Sequence, residues 1–551
     1  MTQSAKDCQA TGDYYRYCPG EEHAKISNAI CIGRRRTHFP KCTGCQFNDD
    51  EKVRVAIGAS RTIVKDSPPS SPSPSPSEEE DQPVTRTRPA HVIEPLFHAA
   101  DIGGTVPSPL SEDAAWRIGH ATGQFLRAKL RGYDRVDPNA RSIIVGRDSR
   151  QHSKTLETHL IEGIRSTGTD VMDLGLVDTP QLYFAVHHLG SCGGIHITAG
   201  HKPVMFNGFR ICGAKAGPIS METGLASIRD IAVRVPRHQT ASKSRLVAKD
   251  LSKTYTDFIR EAMIAKIRLP RLFKIVVDAS NGAAGKWLPI VLKGMRNLRM
   301  TRLNFEHKGE FAHEPNPMRA RNMRELRQYV RDEEADFGVC FDSSAERAVF
   351  TDDRGRTVRP EFITALLARL FIDHEPGATI VYDHRSSLVT EEEIVRAGGI
   401  SVRERIGGTH IKRAMSERDA VFGGDLSGRY YFRDNGYCES VLLAFVHVLN
   451  VLLKTERCLS ELIRPLQRYS TSGELHYHCD DPAQAMNQLV DMHQGAEIEQ
   501  FDGLTFRYPD WWFNVLPFPA DRLLRVTLEA RSRRFVDEKL AELEPILGEQ
   551  R

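Results

Sequence analysis

Three observations predict a multi-domain α/β fold. Short β-branched runs alternate with longer stretches of helical periodicity through most of the chain, the pattern of largely parallel sheets covered on both faces. Polar clusters follow the ends of several of those runs, where ligands gather in open parallel sheets. The 551 residues are 40% hydrophobic and 27% charged, an ordinary globular composition. At roughly 100–200 residues per domain, that length allows about three to five domains.

Charge and cysteine set the first 65 residues apart. They hold 11 Lys+Arg against 7 Asp+Glu, a charge of +4, whereas the whole chain is only +3, so the remainder is −1. Five of the 11 cysteines, Cys8, Cys18, Cys31, Cys42 and Cys45, also fall here. Cys42-Thr-Gly-Cys45 is a knuckle suited to a tetrahedral metal, and zinc is expected on Cys18, Cys31, Cys42 and Cys45 within a head of residues 1–60. An iron–sulfur cluster or free thiols would use the same residues, with His23 and His38 as substitute ligands. A segment this short and this poor in aliphatic residues needs such a staple to fold. Arg34-Arg-Arg36 is either a solvated loop or a contact for nucleic acid or an acidic protein, with Tyr14, Tyr15 and Tyr17 as stacking groups.

Residues 61–94 read as a disordered linker. From Asp66 to Pro89 the chain alternates Ser-Pro with an acidic run and has no apolar periodicity, so burial cannot offset the entropy of ordering it. The body follows. Ser142–Asp148 reads as a buried strand, and 155–167 as a helix with Leu156, Leu160, Ile161 and Ile164 on one face. Further strands are expected at 274–279, 337–342, 379–383 and 420–424. The six cysteines of the body sit singly in apolar contexts, as small core residues. The near-balance of charge excludes a chain-wide polyelectrolyte surface. The longest apolar stretch, Val441 to Leu453, is broken by His447 and Asn450 and is too short to span a bilayer. No signal-peptide pattern opens the chain, so a cytoplasmic protein without a membrane partner is expected.

The polar clusters are Arg147-Asp148, Thr198–His201, Asp342–Arg347 and Gly423–Arg429. They occur with Val145-Gly-Arg-Asp148, Asp173-Leu-Gly-Leu-Val-Asp-Thr-Pro180, Tyr183-Phe-Ala-Val-His-His-Leu-Gly190, Asn207-Gly-Phe209, Val277-Asp-Ala-Ser-Asn-Gly-Ala-Ala-Gly285 and Val421-Phe-Gly-Gly-Asp-Leu-Ser-Gly428. In that order they resemble the phosphohexomutases, the phosphomannomutase/phosphoglucomutase family. The likeness covers nearly all of residues 95–551. It implies three α/β domains (95–240, 250–354 and 355–465) and a smaller α+β domain (466–551) around a central cleft. It also implies a chemistry of four parts: a phosphoserine that lends its phosphoryl group, a three-carboxylate loop for Mg²⁺, a sugar-recognition loop, and a lid that grips the substrate's other phosphate.

Each part departs from the family pattern. Thr-Ala-Ser-His-Asn-Pro becomes Thr198-Ala-Gly-His-Lys-Pro203, so Gly200 stands at the phosphoserine position and cannot act as nucleophile. His201 is a substitute carrier or a positioning group, and Lys202 a non-covalent phosphate contact. Asp-Gly-Asp-x-Asp-Arg becomes Asp342-Ser-Ser-Ala-Glu-Arg347, leaving Asp342, Ser344 and Glu346 as a degenerate Mg²⁺ loop. The lid reads Leu516-Pro-Phe-Pro-Ala-Asp-Arg522, where Leu516, Phe518 and Ala520 replace phosphate donors and Arg522 alone offers compensation with Arg525. An arginine is lost at Gly103 and a histidine at Gly408, though Lys412 remains. The sugar loop, Gly-Glu-x-Ser-Gly-His in the family, reads Gly424-Asp-Leu-Ser-Gly-Arg429, with Asp425 and Ser427 still suited to sugar hydroxyls and Arg429 a further substrate contact.

These departures point to a non-catalytic relative that binds a sugar phosphate through Arg147, His201, Lys202, Lys412, Asp425, Ser427, Arg429 and Arg522 as sensor or scaffold. An active mutase with His201 as phosphoryl carrier is the rival. A third reading makes the basic head a zinc module for a protein or nucleic-acid partner, with the body as platform.

Overall fold

The computed structural model describes residues 15–18, 24–27, 89–130, 139–237, 244–264 and 268–551. The chain divides into two units, Met1–Thr85 and Arg86–Arg551. In the first, β1 (Tyr15–Cys18) pairs antiparallel with β2 (Ala24–Ser27), placing Tyr15 opposite Ser27. The zinc reading on Cys31, Cys42 and Cys45, the side chain of Cys18, the Arg34–Arg36 contact and the Ser-Pro linker through residue 88 lie outside the described residues.

Regular structure in the second unit begins at Pro89, earlier than the sequence suggests. A short helix, Pro89–Ile93, and a 3₁₀ turn, Glu94–Leu96, bury Ile93 and Leu96 in the first core, which removes these residues from the linker. The first layer is a six-stranded sheet ordered β3-β7-β6-β4-β5-β8. Its strands are β3 (Ile102–Thr105), β4 (Ser142–Arg147), β5 (Asp170–Leu176), β6 (Gly193–Ile197), β7 (Phe206–Gly213) and β8 (Leu246–Ala248). Strands β4, β5, β6 and β8 run parallel, and β7 joins antiparallel to both β6 and β3. The helices Glu112–Ala128 and Ser153–Ser166 touch backbone to backbone. A Cβ on Gly119 would overlap the Leu160 carbonyl, and one on Gly163 the Trp116 carbonyl, so the contact requires glycine at both.

The second sheet is ordered β10-β9-β11-β12, from β9 (Arg268–Asp278), β10 (Arg296–Leu303), β11 (Phe337–Phe341) and β12 (Ala348–Asp352). The third is ordered β14-β13-β15-β16-β17, from β13 (Thr379–Asp383), β14 (Ile400–Glu404), β15 (Phe422–Gly424), β16 (Tyr430–Phe432) and β17 (Cys438–Glu439). These two layers share one continuous core through Phe337, Phe350, Phe422 and Phe445, so they are not packed as independent domains. The last layer is wholly antiparallel: β18 (Ser470–His478), β19 (Glu497–Gln500), β20 (Leu504–Arg507), β21 (Trp511–Phe518), β22 (Leu523–Ala530) and β23 (Glu549–Gln550), with helices Pro482–Met492 and Arg533–Leu547.

The apolar stretch at 441–453 is a buried helix, Val441–Thr455, and among the described residues no helix is long and apolar enough to cross a membrane. Its two polar interruptions are structural. His447 packs between Phe371 and Phe432, while Asn450 donates to the Ala262 carbonyl at 2.7 Å and accepts from the Ile264 N–H at 3.0 Å. Of the six body cysteines five are buried, as the sequence implies. Cys458 is exposed instead, because it sits at the N-cap of the helix Leu459–Ile463. Asn450→Leu should therefore lower the melting temperature despite adding apolar surface. It leaves two partly buried backbone groups without their partner, at about 1 kcal/mol each; an unchanged or raised melting temperature would contradict this role.

Candidate functional site

The 198–206, 342–347 and 425–429 loops leave the carboxyl ends of parallel strands, and the first is fixed by one buried ion pair. Just after β4, Asp148 accepts the Arg150 N–H at 3.0 Å and the Ser153 hydroxyl at 2.6 Å on one oxygen. Its other oxygen accepts Arg150 Nε at 3.1 Å and the Thr198 hydroxyl at 2.8 Å. Arg150 is 1% exposed and spends its remaining donors on four carbonyls: Gly200 at 2.9 Å, Lys202 at 2.8 Å, Pro203 at 2.7 Å and Phe206 at 3.1 Å. The 198–206 loop is thus draped over one guanidinium, whose planar fork suits several acceptors at once.

Gly200 lies at φ 55°, in the left-handed region. Its N–H meets the Thr198 hydroxyl at 3.0 Å, and its carbonyl also accepts from Ser343 Oγ at 2.6 Å. A Cβ built there would stand 3.4 Å from Ser344 Oγ, 3.7 Å from Asp342 Oδ2 and 3.8 Å from Arg210 Nη2. The loop still aims position 200 at the 342–347 loop; it lacks only the side chain that would act there.

In the 342–347 loop, Asp342 is buried and its Oδ1 caps the Glu346 N–H at 2.8 Å and the Arg347 N–H at 3.2 Å. Burial, followed by the charge on Glu346, pushes its carboxyl up to about 6. Glu346 is fully buried and fully engaged. Thr179 Oγ1 donates to Oε1 at 2.9 Å, Arg210 Nε lies 2.6 Å from the same oxygen, and Arg429 Nη2 donates to Oε2 at 3.1 Å. Burial opposes its charge, but the two arginines and the threonine outweigh burial and hold its carboxyl well below the usual range. As built, the loop leaves a divalent cation only Asp342 Oδ2 and Ser344 Oγ, and these two are 3.4 Å apart in a contact of their own.

The sugar loop is likewise closed on itself. Ser427 Oγ donates to Asp425 Oδ1 at 2.6 Å, the Ser427 and Arg429 N–H groups bond the same oxygen, and Tyr431 Oη donates to Oδ2 at 2.9 Å. Asp425 and Ser427 therefore shape the loop rather than stand free for hydroxyls. Tyr431 also occupies ground by Gly408, where a Cβ would meet its Oη at 3.0 Å.

Other expected contacts are engaged elsewhere. Arg147 pairs with buried Glu157 at 3.2 Å. Lys412 is buried 2.6 Å from Glu439 and 3.9 Å from the centre of the Tyr183 ring. Arg522 is exposed and pairs with Asp480 at 3.2 Å. In the lid, Phe518 lies under Arg525, which faces Glu474 at 3.6 Å. Lys202 is half-buried near Phe206. A cavity of ≈ 660 Å³ flanks Lys412, walled by Ala100, Lys215, Met221, Gly407 and Tyr437.

His201 is held neutral. Burial, then the charges of Arg347, Arg429 and Arg210, push its imidazole down to about 3. Burial, then Arg429, brings Arg347 down to about 10. Thr179, Arg210, Arg347 and Tyr431 thus belong to the site although the sequence reading assigned them no role. Arg347 closes the Asp342–Arg347 cluster, and Arg210 directly follows Asn207-Gly-Phe209. Away from these loops, Asp278, His313 and Cys340 form the one group of potential metal ligands found among the described residues. Asp278 is already engaged there by Ser280 N–H, Asn304 Nδ2 and His313 Nε2.

Family models match along most of the body. Those described as phosphoglucomutase/phosphomannomutase α/β/α domains I, II and III match residues 94–235, 253–355 and 359–469. The phosphomannomutase of Escherichia coli K12 is 32% identical over 446 residues, covering 79% of this chain and 94% of that protein. The phosphohexose mutases of Xanthomonas campestris are 32% identical over 443 residues, covering 79% and 95%. Among solved structures, a phosphoglucomutase/phosphomannomutase family protein from Burkholderia thailandensis superposes with a TM-score of 0.72 at 25% identity, covering 81% of this chain and 96% of that one.

A neutral, half-buried His201 has a signature in acid. Its folded value of about 3 lies below the ordinary 6.5, so between these limits the unfolded chain takes up a proton that the folded chain refuses, and stability falls as pH falls. Asp342 works the other way between about 6 and 3.8, because its folded form binds the proton more readily. His201→Gln should therefore lose less melting temperature than the parent between pH 7 and pH ~4.5; equal losses would contradict a half-buried neutral imidazole.

Proposed function

The chain belongs to the phosphoglucomutase/phosphomannomutase family, and from that membership we propose that it is a non-catalytic member whose cleft holds a sugar phosphate without exchanging its phosphoryl group. The observation that carries this reading is Gly200 facing Asp342, Ser344 and Arg210 with no nucleophile between them. Glu346 supports it, since its oxygens are engaged by Thr179, Arg210 and Arg429 where a metal ligand is expected. The lid supports it too, because Leu516 and Phe518 offer no donors to phosphate oxygens. The names of the relatives point the ligand towards hexose phosphates.

As a sensor, the molecule would report binding through its last layer, which is tied to the third. Arg507 meets Glu391 at 2.8 Å, Arg385 meets Glu474 at 3.2 Å, Arg403 pairs with Glu499, and the Leu388 N–H meets Glu529 at 2.8 Å. A ligand that binds one arrangement of these pairs better than another shifts the population between them.

One observation favours the rival. His201 Nδ1 is buried without a hydrogen-bond partner, and a neutral imidazole is the form that can accept a phosphoryl group. For the head, zinc on Cys18, Cys31, Cys42 and Cys45 and a protein or nucleic-acid partner at Arg34–Arg36 remain part of the proposal. Elemental analysis of anaerobically purified protein tests the metal.

The deciding assay supplies glucose 1-phosphate or mannose 1-phosphate with Mg²⁺ and a hexose 1,6-bisphosphate primer. The parent chain and Gly200→Ser are both expected at background, the variant because Glu346 and the lid remain altered. Turnover abolished by His201→Ala would overturn the reading in favour of a histidine carrier. Turnover gained by Gly200→Ser would show that the remaining loops still function.

A further inference from the structure

We propose that the space in front of Gly200 is a phosphate-binding site that works without a divalent cation, its arginines standing where the family places Mg²⁺ and phosphoserine. This deepens the non-catalytic reading and rests on it. The residues present do not fit the metal. Mg²⁺ takes near-octahedral oxygen coordination, and here both Glu346 oxygens are engaged by Thr179, Arg210 and Arg429, while Asp342 Oδ1 is capped by two backbone N–H groups.

What the site offers instead is donors. Arg347 Nε and Arg429 Nε are buried donors with no hydrogen-bond partner, and His201 Nδ1 is likewise buried and unpartnered, a donor in the tautomer that carries its proton there. A buried guanidinium N–H without an acceptor is costly, and an oxyanion is the acceptor it matches best. The three groups belong to one neighbourhood: Arg429 Nη2 lies 3.1 Å from Glu346 Oε2, Arg347 directly follows Glu346, and His201 directly follows Gly200, which faces that loop. Room comes from the missing side chain: the Cβ position of residue 200 faces Ser344 Oγ at 3.4 Å and Arg210 Nη2 at 3.8 Å, both able to donate. Arg210 Nε is already committed to Glu346, which leaves its Nη2 edge turned towards that space.

One carboxylate oxygen also faces the space, Asp342 Oδ2 at 3.7 Å from the Cβ position. Lys202, half-buried in the same loop, adds a cation with no carboxylate partner of its own among the described residues. The chemistry recognised is a tetrahedral phosphate group, whether free orthophosphate or the phosphate of a hexose phosphate.

Isothermal titration of the full chain tests this, with inorganic phosphate, glucose 1-phosphate and glucose as separate ligands, each in EDTA and again in Mg²⁺. Phosphate and glucose 1-phosphate are expected to bind equally well in EDTA and in Mg²⁺, and glucose not at all. Arg347→Lys keeps the charge but removes Nε, and should weaken phosphate by about 10- to 100-fold, the effect of one charged hydrogen bond. Gly200→Asp is a second variant that tolerates the left-handed backbone and places a carboxylate in the space. It should abolish phosphate binding while still unfolding cooperatively, at a melting temperature somewhat below the parent's. Binding that appears only with Mg²⁺, or survives unchanged in both variants, would overturn the inference. Binding of glucose 1-phosphate without any binding of inorganic phosphate would overturn it too, yet leave the non-catalytic reading standing; turnover in the mutase assay would remove that reading instead.

Discussion

The Glu346 carboxylate, contributed by the second layer and sealed from solvent, joins three layers of the body at one point. Thr179 and Arg210 reach it from the first layer and Arg429 from the third. Neighbouring main-chain bonds run alongside: Thr179 N–H to the Ser344 carbonyl at 3.2 Å, and Ala348 N–H to the Gly428 carbonyl at 2.9 Å. Removing one partner from such a buried group leaves an uncompensated charge and typically costs about 3–5 kcal/mol. The carboxylate therefore has a structural task that competes with any metal. A glutamate reaches one methylene further than an aspartate, and here that reach is spent on the two arginines.

The loops around this point keep their framework and lose their chemistry. Asp148 and Arg150 still fix the 198–206 loop through four carbonyls, and Gly200 still adopts a left-handed backbone aimed at Asp342. The losses are matched by replacements. Tyr431 fills the ground beside Gly408, Arg429 spans to Glu346, and Phe518 underlies Arg525. A cleft that had merely decayed would leave unpaired carboxylates where metal and sugar once bound. In this one Asp425 and Glu346 are both bonded through both oxygens, and beside them Arg347 Nε and Arg429 Nε are unpaired donors.

Much of the fold was legible in the sequence, because burial on both faces makes parallel strands read as continuous apolar runs. Ser142–Arg147, Phe337–Phe341 and Thr379–Asp383 lie where those runs predict, and polar clusters follow the carboxyl ends of the first two. The start at Pro89 was hidden because two apolar residues, Ile93 and Leu96, suffice to anchor a helix that composition assigns to the linker. The site was legible only as a set of positions. Local spacing shows that Asp425 and Ser427 are present, but not that they bond each other. Nor does it reveal that Arg210, 136 positions before Glu346 in the chain, closes on it. Pairings of that separation are set by packing of whole layers and leave no trace in a local pattern.

Manganese(II) reads the state of the 342–347 loop most directly, since it shares magnesium's preference for oxygen ligands and has an electron paramagnetic resonance signal that is lost on binding. Titrated into the full chain, Mn²⁺ should keep its free-ion signal apart from any capture that Asp342→Asn leaves unchanged, because Glu346 is held by Arg210 and Arg429. Stoichiometric capture abolished by Asp342→Asn would contradict the account, showing that the carboxylate releases its arginines to a metal.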